Sequence, residues 1–123
     1  MEIKLIHSPE EFISRYDWIK QIDYTDMEPY ECLGRCLSGR YSGCIGYKDK
    51  AVGIVIYYIY DTDKCWVVGL WAKNNLEGFQ KLFYDELKSM GIKTVRSSTT
   101  LSDTAYERLM GMKKLWSVYE RAL

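Results

Sequence analysis

The amino-acid sequence predicts a mixed α/β domain, with a central, mostly antiparallel sheet flanked by about four helices. The main observation concerns residues 53–71, where two strand-like runs of β-branched and aromatic residues are separated by a short polar turn. The pattern then changes from a period of two to a helical period over 76–90. Gly91 follows at the C′ position, where helices commonly end. A hairpin, a helix and a further strand together form the central unit of such a sheet.

The chain before this unit is predicted to contain a strand and a helix. Residues 1–7 alternate apolar and charged side chains, which indicates a strand at an edge of the sheet. Ser8 suits the N-cap, Pro9 the first helical position and Glu11 a capping box, so a helix is expected from there to about Gln21. Its predicted core-facing residues are Phe12, Ile13, Tyr16 and Ile19.

A second, shorter helix and three further strands complete the prediction. An acidic, irregular segment over 23–28 precedes Pro29, which opens a helix that ends at residues 38–39. That helix carries Tyr30, Leu33 and Leu37. The remaining predicted elements are strands at 42–47, 92–100 and 112–123, and a short helix from Ser102 or Asp103 to Met110.

Charge and composition exclude several classes of function. The 17 basic and 17 acidic side chains give a net charge of zero, whereas a nucleic-acid binder normally carries a basic excess. No apolar run approaches the ~18 residues of a membrane span, and the first residues do not form a signal peptide. We therefore expect a cytoplasmic protein with no nucleic-acid partner and no membrane partner.

The four cysteines are expected to be free, buried thiols, because a reducing compartment disfavours disulfides. Cys32 and Cys36 are four residues apart and so share one face of a helix, while Cys44 and Cys65 fall in separate strands. His7 is the only histidine. The sequence offers no complete set of zinc ligands, and no metal site is predicted.

Three local features point to a known family. The helix that ends at Gly91 continues into an apolar strand, residues 104–112 surround a tyrosine with a short helical motif, and Gly69 interrupts the second hairpin strand. Together with the order of elements, these features resemble the GNAT superfamily of acyl-CoA-dependent N-acetyltransferases over essentially the whole chain. In that family a bulge at the position of Gly69 separates two parallel strands. The resemblance implies a single GNAT-like acyltransferase domain over 1–123.

The resemblance also implies an activity and a cofactor. A GNAT enzyme transfers an acetyl group from acetyl-CoA to an amine, either on a small molecule or on a protein lysine or N-terminus. In the family, the pantetheine arm of acetyl-CoA enters the gap beside the bulge, and a glycine-rich turn before the central helix binds the diphosphate of acetyl-CoA. By family position, the acid that protonates the leaving thiolate is Tyr106. The implied cofactor-binding residues are Gly69, Leu70, Trp71, Ala72, Lys73, Gly78 and Phe79.

Further candidate residues are available on the predicted hairpin and the following strand. Asp61 lies in the hairpin turn and is the candidate base for the acceptor amine, although a solvated turn residue is the alternative. The candidates for acceptor binding are Tyr57, Tyr58, Arg96 and Thr99. For the tyrosines, including Tyr106, packing in the core is the alternative.

The predicted diphosphate turn departs from the family motif, which has an arginine or glutamine, then a glycine, then a second small residue. Gly78 alone is retained, Glu77 adds negative charge, and Phe79 stands where a small residue is expected; Lys73 could replace the basic residue. A second hypothesis therefore stays open, in which the fold has lost its cofactor and acts as an interaction or structural module. The chain is also similar in overall arrangement to small degenerate acetyltransferase-like proteins encoded by tailed phages.

The partners implied by these hypotheses differ. An enzyme would bind an amine acceptor, whereas a module would bind another protein. Exposed strand edges in this fold can also pair with a second copy of the chain, so a homodimer stays open as well.

Overall fold

The computed structural model describes residues 1–24, 27–97, 113–115 and 118–123. The strands in this part of the chain are β1 (Glu2–Leu5), β2 (Ser42–Lys48), β3 (Lys50–Asp61), β4 (Lys64–Ala72), β5 (Thr94–Ser97), β6 (Lys113–Leu115) and β7 (Val118–Ala122). The helices are α1 (Pro9–Ser14), α2 (Tyr16–Ile19), α3 (Pro29–Leu37) and α4 (Leu76–Ser89).

The described strands form one sheet in the order β1-β2-β3-β4-β5-β7-β6. β4 and β5 are parallel, and all other neighbouring strands are antiparallel. The predicted mixed, mostly antiparallel sheet is therefore confirmed, and β1 lies at an edge as expected. α4 connects the two parallel strands, because a parallel pair needs a crossover connection.

Each face of the sheet carries its own apolar core, because successive strand residues point to opposite faces. The face covered by α4, called the α4 face below, buries Cys44, Val55, Tyr57, Cys65, Val67, Phe79, Phe83, Tyr84, Leu87, Ile92, Val95 and Tyr119. The opposite face, called the α1–α3 face, buries Phe12, Ile19, Ile22, Cys32, Cys36, Ile45, Ile54 and Ile56.

On the α4 face, the Phe79 ring covers a cross-strand pair of glycines. Gly46 and Gly53 are partners in the register of β2 and β3, and a Cβ on either would lie 2.9 or 2.8 Å from atoms of the Phe79 ring. The ring is fully buried by this arrangement. The Phe79 side chain therefore belongs to the apolar stripe of α4, and its predicted contact with a cofactor stays a prediction.

The predicted helix over 8–21 is interrupted. Arg15 has φ −108° and ψ 17°, so helical geometry stops there and resumes in α2. The predicted helix start is confirmed, because the Ser8 Oγ accepts a hydrogen bond of 3.3 Å from the Glu11 N–H. Among the expected core residues, Phe12 and Ile19 are buried and Tyr16 packs against the core. Ile13 is 54% exposed, and its predicted core position is wrong.

The second helix has the predicted bounds but buries different residues. Cys32 and Cys36 face the core, whereas Tyr30 is 66% exposed. All four cysteines are buried free thiols, as expected. Gly39 and Gly91 follow α3 and α4 with φ of +80° and +86°, the left-handed conformation that favours glycine after a helix.

The C-terminal part differs from its prediction. Residues 112–123 were expected to form one strand, but Leu115 pairs with Val118, so two antiparallel strands, β6 and β7, occupy this region. The sequence between Leu115 and Val118 has no glycine, asparagine or aspartate to signal a hairpin, so the sequence pattern predicted one strand. In β5 the predicted alternation is confirmed, since Val95 and Ser97 are buried. The short helix predicted from Ser102 or Asp103 to Met110 lies outside the described residues.

No helix in the described ranges has the length and apolar character needed to cross a membrane.

Candidate functional site

The candidate site is the gap between the parallel strands β4 and β5. Their register runs from the pair Lys64–Thr94 to the pair Val67–Ser97, while β4 continues beyond it to Ala72. Within the described residues, the edge of β4 from residue 68 onward has no partner strand on this side. Among the described strands, none pairs with the backbone N–H and C=O groups on that edge.

A β-bulge lies where the two strands part. Val67 pairs with Tyr57 and Gly69 pairs with Ile56, so Val68 is an extra residue in β4. The bulge predicted at Gly69 is thus confirmed to within one residue. Gly69 also packs tightly, because a Cβ there would lie 2.0 Å from the Ile22 side chain. Ile22 therefore covers the bulge on the α1–α3 face.

On the α4 face, the gap contains a narrow cavity of about 10 Å³, roughly the room of one water molecule. Its lining residues are Val67, Leu70, Gln80, Phe83, Tyr84, Val95 and Ser97. Gln80 and Ser97 are the buried polar side chains of the described chain, and both line this cavity. Both side chains have interaction partners within the fold, and they place polar atoms in the cavity wall.

Tyr84 contacts Gln80 through its hydroxyl and Arg121 through its ring. Gln80 Nε2 donates a hydrogen bond of 3.1 Å to the Tyr84 hydroxyl, and the Arg121 guanidinium lies 4.6 Å from the centre of the Tyr84 ring. Burial raises the pKa of Tyr84, and the contacts with Gln80 and Arg121 oppose that rise. Tyr84 therefore stays protonated near neutral pH and can donate a hydrogen bond into the cavity.

The turn from β4 into α4 does not have the shape of a glycine-rich anion site. Asn75 is the N-cap of α4 in the left-handed conformation, with φ 50° and ψ 50°, and its Oδ1 accepts a hydrogen bond of 3.2 Å from the Gly78 N–H. A Cβ at Gly78 would lie 2.5 Å from the Asn75 Nδ2. Gly78 thus makes room for the cap, and the cap occupies the N–H that an anion would use. Glu77 is exposed beside it.

Two cations gather beside this turn, around one tryptophan. The Arg15 guanidinium lies 4.5 Å and the Lys73 Nζ 5.3 Å from the centre of the Trp18 ring, and Trp18 packs against Trp71 with ring centres 5.3 Å apart. In the part of the chain that the structure describes, neither cation has a carboxylate within 4.0 Å. The break between α1 and α2 places Arg15 here, a position that no local sequence pattern predicts.

Two predicted site residues lie elsewhere in the fold. Asp61 accepts a hydrogen bond of 2.8 Å from the Thr62 N–H and pairs with Lys64 at 3.7 Å, in the turn at the opposite end of β4 from Ala72. Five residues of strand separate Lys64 from Gly69, which is about 17 Å. The structure therefore does not bring Asp61 to the bulge. Its contacts are those of a turn residue.

Tyr57 points into the core of the α4 face. It is 3% exposed, packs against Phe83 with ring centres 5.2 Å apart, and contacts the Cys44 thiol. Its strand position faces the buried side of the sheet, and its role in binding an acceptor stays a prediction. Tyr106 and Thr99, the predicted acid and an acceptor residue, lie outside the described residues.

Tyr58 and Arg96 are brought together on the α1–α3 face. Tyr58 pairs with Trp66, Trp66 with Arg96, and Arg96 with Glu120, so the four form one row across the sheet. Arg96 Nε donates a hydrogen bond of 2.8 Å to the Glu120 Oε1. The sequence missed Glu120, because the pairing of β5 with β7 depends on a strand order that no local pattern encodes.

Aromatic rings extend this row toward α3. Tyr58 stacks on Tyr41 with ring centres 5.4 Å and planes 5° apart, and Tyr60 meets Tyr58 edge-on at 6.2 Å. Arg35 fixes Tyr41 by donating a hydrogen bond of 2.7 Å to its hydroxyl. Tyr41, Tyr58, Tyr60 and Trp66 are called the aromatic face below. All four are partly or largely exposed.

Metal chemistry has no site in the described ranges, where no three His, Cys, Asp or Glu side chains are grouped suitably for an ion.

Comparison with family models and with curated protein sequences gave no match. Solved structures do match. Tetrahymena GCN5 superposes with a TM-score of 0.71 at 13% identity, over 99% of this chain and 96% of that chain. An IAA acetyltransferase from Bacillus cereus gives a TM-score of 0.70 at 6% identity, over 99% of this chain and 100% of that chain. A GNAT family N-acetyltransferase (YhbS) from Escherichia coli, in complex with CoA, gives 0.67 at 16% identity, over 98% and 79%.

Proposed function

We propose that this chain, which has the GNAT fold, binds acetyl-CoA in the gap between β4 and β5 and transfers the acetyl group to an amine. The observation that carries this proposal is the cavity beside the bulge, with Gln80 and Ser97 buried in its wall. The cavity would have to widen as β4 and β5 part to admit an extended arm, and its lining suits such an arm, because apolar walls accept its methylenes and the polar side chains accept its amides. The proposal treats residues 1–123 as one acyltransferase-like domain.

The residues around the gap suit different parts of this ligand. The main chain of Gly69, Leu70, Trp71 and Ala72 presents hydrogen-bonding groups on the unpartnered edge of β4. A backbone N–H at that edge can stabilise the carbonyl oxygen of a thioester. When bound, the thioester supplies the activated acyl group. Tyr106 is retained in this proposal as the proton donor to sulfur.

The anionic end of the ligand would be held by side chains. Asn75 occupies the Gly78 N–H, so the turn offers fewer backbone donors than the family motif. Lys73 and Arg15 lie beside the same turn without carboxylate partners among the described residues, and two cations there suit a diphosphate. Positive charge from side chains would thus replace part of the backbone site.

The test is the binding of CoA by calorimetry. We expect wild-type protein to bind CoA at micromolar concentrations and Ser97→Met to bind at least about tenfold more weakly, because the longer side chain fills the gap. Ser89→Met is the matched control, since Ser89 is exposed at the end of α4 and far from the cavity lining. Equal binding by both variants would place CoA outside the gap.

The second candidate function is an interaction module that has lost the cofactor. The Asn75 cap and the exposed Glu77 favour this function. The cap occupies the Gly78 N–H that a diphosphate would use, and the Glu77 carboxylate would repel the negative charge of a diphosphate. Absence of any CoA binding at millimolar concentration would exclude the acetyltransferase and support this module. A homodimer or another protein would then be its partner.

A further inference from the structure

The Arg96–Glu120 pair presents two opposite charges side by side at the surface. Their side chains are 35% and 30% exposed, and one hydrogen bond joins Arg96 Nε to Glu120 Oε1. Arg96 also interacts with the Tyr60 hydroxyl. A guanidinium has five N–H donors and a carboxylate two acceptor oxygens, so this contact leaves hydrogen-bonding capacity on both groups. A ligand with a carboxylate and an ammonium group close together would match both.

The aromatic face supplies a flat surface next to these charges. Tyr58 and Trp66 precede Arg96 and Glu120 in the same row, and residues paired across strands share one face of the sheet. Stacking with Tyr41, which Arg35 holds in place, fixes the Tyr58 ring. Rigid, partly exposed rings bind flat or apolar groups at little cost in conformational entropy.

This surface lies close to the bulge. Trp66 is two residues before Val68, a separation of about 7 Å along the strand. Val68 and Trp71 pack against the α1–α3 core, so the β4 residues at the bulge lie on the same face as the aromatic row, where Ile22 covers Gly69.

We infer that the aromatic face and the Arg96–Glu120 pair together bind an amino acid with an aromatic side chain, with its carboxylate on Arg96, its ammonium group near Glu120 and its ring on Tyr58 and Trp66. The choice of an amine as acceptor rests on the proposed acetyltransferase function. The binding itself depends on side chains that are present without any cofactor, so it can be measured separately.

The test uses three probes in calorimetry without CoA: L-phenylalanine, phenethylamine, which lacks the carboxylate, and 3-phenylpropionate, which lacks the amine. We expect L-phenylalanine to bind at least about tenfold more tightly than either analogue, because each analogue loses one charge-assisted hydrogen bond. Equal affinity for all three, or no binding of L-phenylalanine at about 10 mM, would overturn the inference.

Variants assign the two charges. Arg96→Gln should weaken the binding of L-phenylalanine at least about tenfold and leave the affinity for phenethylamine unchanged. Glu120→Gln should weaken the binding of L-phenylalanine by a similar factor and leave the affinity for 3-phenylpropionate unchanged. Lys88→Gln is the control, because Lys88 is exposed on α4, which covers the opposite face of the sheet. Retained binding of the analogue shows that each variant is folded. An equal loss with Lys88→Gln would contradict the assignment.

The outcome also separates this inference from the proposed function. Binding of L-phenylalanine without binding of CoA would support the amino-acid site and exclude the acetyltransferase. Binding of CoA without discrimination among the three probes would support the acetyltransferase and overturn the amino-acid site.

Discussion

At the scale of single residues, glycines decide how closely the elements pack. Gly46 and Gly53 leave room for the Phe79 ring, and Gly78 leaves room for the Asn75 side chain. Gly34 in α3, by contrast, has no atom within 4 Å of the place a Cβ would take. The same residue type is therefore required at some positions and replaceable at another.

This contrast gives a prediction for stability. Gly46→Ala and Gly53→Ala should each lower the free energy of unfolding by about 1–3 kcal/mol, because the added methyl overpacks the Phe79 ring. Gly34→Ala should raise it by about 0.5–1 kcal/mol, since alanine restricts the unfolded chain and favours the helix. Urea unfolding of the three variants checks both signs. A loss of stability in Gly34→Ala equal to that in Gly46→Ala would contradict the packing argument.

Many residues of the candidate site could not be predicted from the sequence. Tyr58 and Arg96 were both among the predicted acceptor residues, and the structure places them in one row on the α1–α3 face, whereas Tyr57 faces the other side of the sheet. Gln80 falls inside the apolar stripe of α4, between Phe79 and Phe83, and a polar residue at such a position is a signal that could have been read. Arg15 gave no such signal, because the break between α1 and α2 comes from tertiary packing.

At the scale of elements, the start of α4 decides between the two candidate functions. The Asn75 side chain satisfies the Gly78 N–H in the absence of any ligand, and a diphosphate would have to displace it or bind beside it. The cap and the anion therefore compete for one donor.

Substitutions at Asn75 test this competition. Asn75→Gly keeps the left-handed conformation and frees the Gly78 N–H, so CoA affinity should rise by about three- to tenfold if the turn contacts the diphosphate. Asn75→Asp keeps the cap and adds a negative charge, so affinity should fall by a similar factor. Calorimetry of both variants measures the effect, with urea unfolding to compare their stability. Identical CoA affinities would mean that the diphosphate binds away from this turn.

The elements themselves were largely predictable. Both strands of the hairpin, α3, α4 and the glycines that follow the helices agree with the sequence pattern, because turn and capping signals are local. The two-strand arrangement of β6 and β7 was missed, since the chain between Leu115 and Val118 lacks the glycine that marks most tight hairpins.

At the scale of the whole molecule, buried thiols link stability to pH. Burial raises the pKa of Cys44 from its ordinary value of 9.0 to about 11, and that of Cys65 to about 12. An acid with a raised pKa keeps its proton longer in the folded chain. Its contribution to stability is therefore present below pH 9 and is lost as pH rises through the folded-state pKa.

We expect the free energy of unfolding to fall by about 2 kcal/mol between pH 9 and pH 11 on account of Cys44 alone. Cys44→Ala should remove that part of the fall in the free energy of unfolding. Cys65→Ala should remove a part of the fall that extends toward pH 12. Urea unfolding at several pH values measures both slopes. An unchanged slope in Cys44→Ala would mean that its thiol does not titrate in this range.

The single parallel contact in the sheet has a mechanical consequence. Strands β1 to β4 form one antiparallel ribbon, and strands β5 to β7 form another. Four residue pairs, from Lys64–Thr94 to Val67–Ser97, join the two ribbons at the β4–β5 seam. Few backbone hydrogen bonds hold this seam, so small rotations of one ribbon against the other change its width at low energetic cost. A molecule that binds between β4 and β5 would have to separate the two ribbons to enter. Once bound, its contacts with both ribbons would hold them together, so the same strand contact would control both entry and retention.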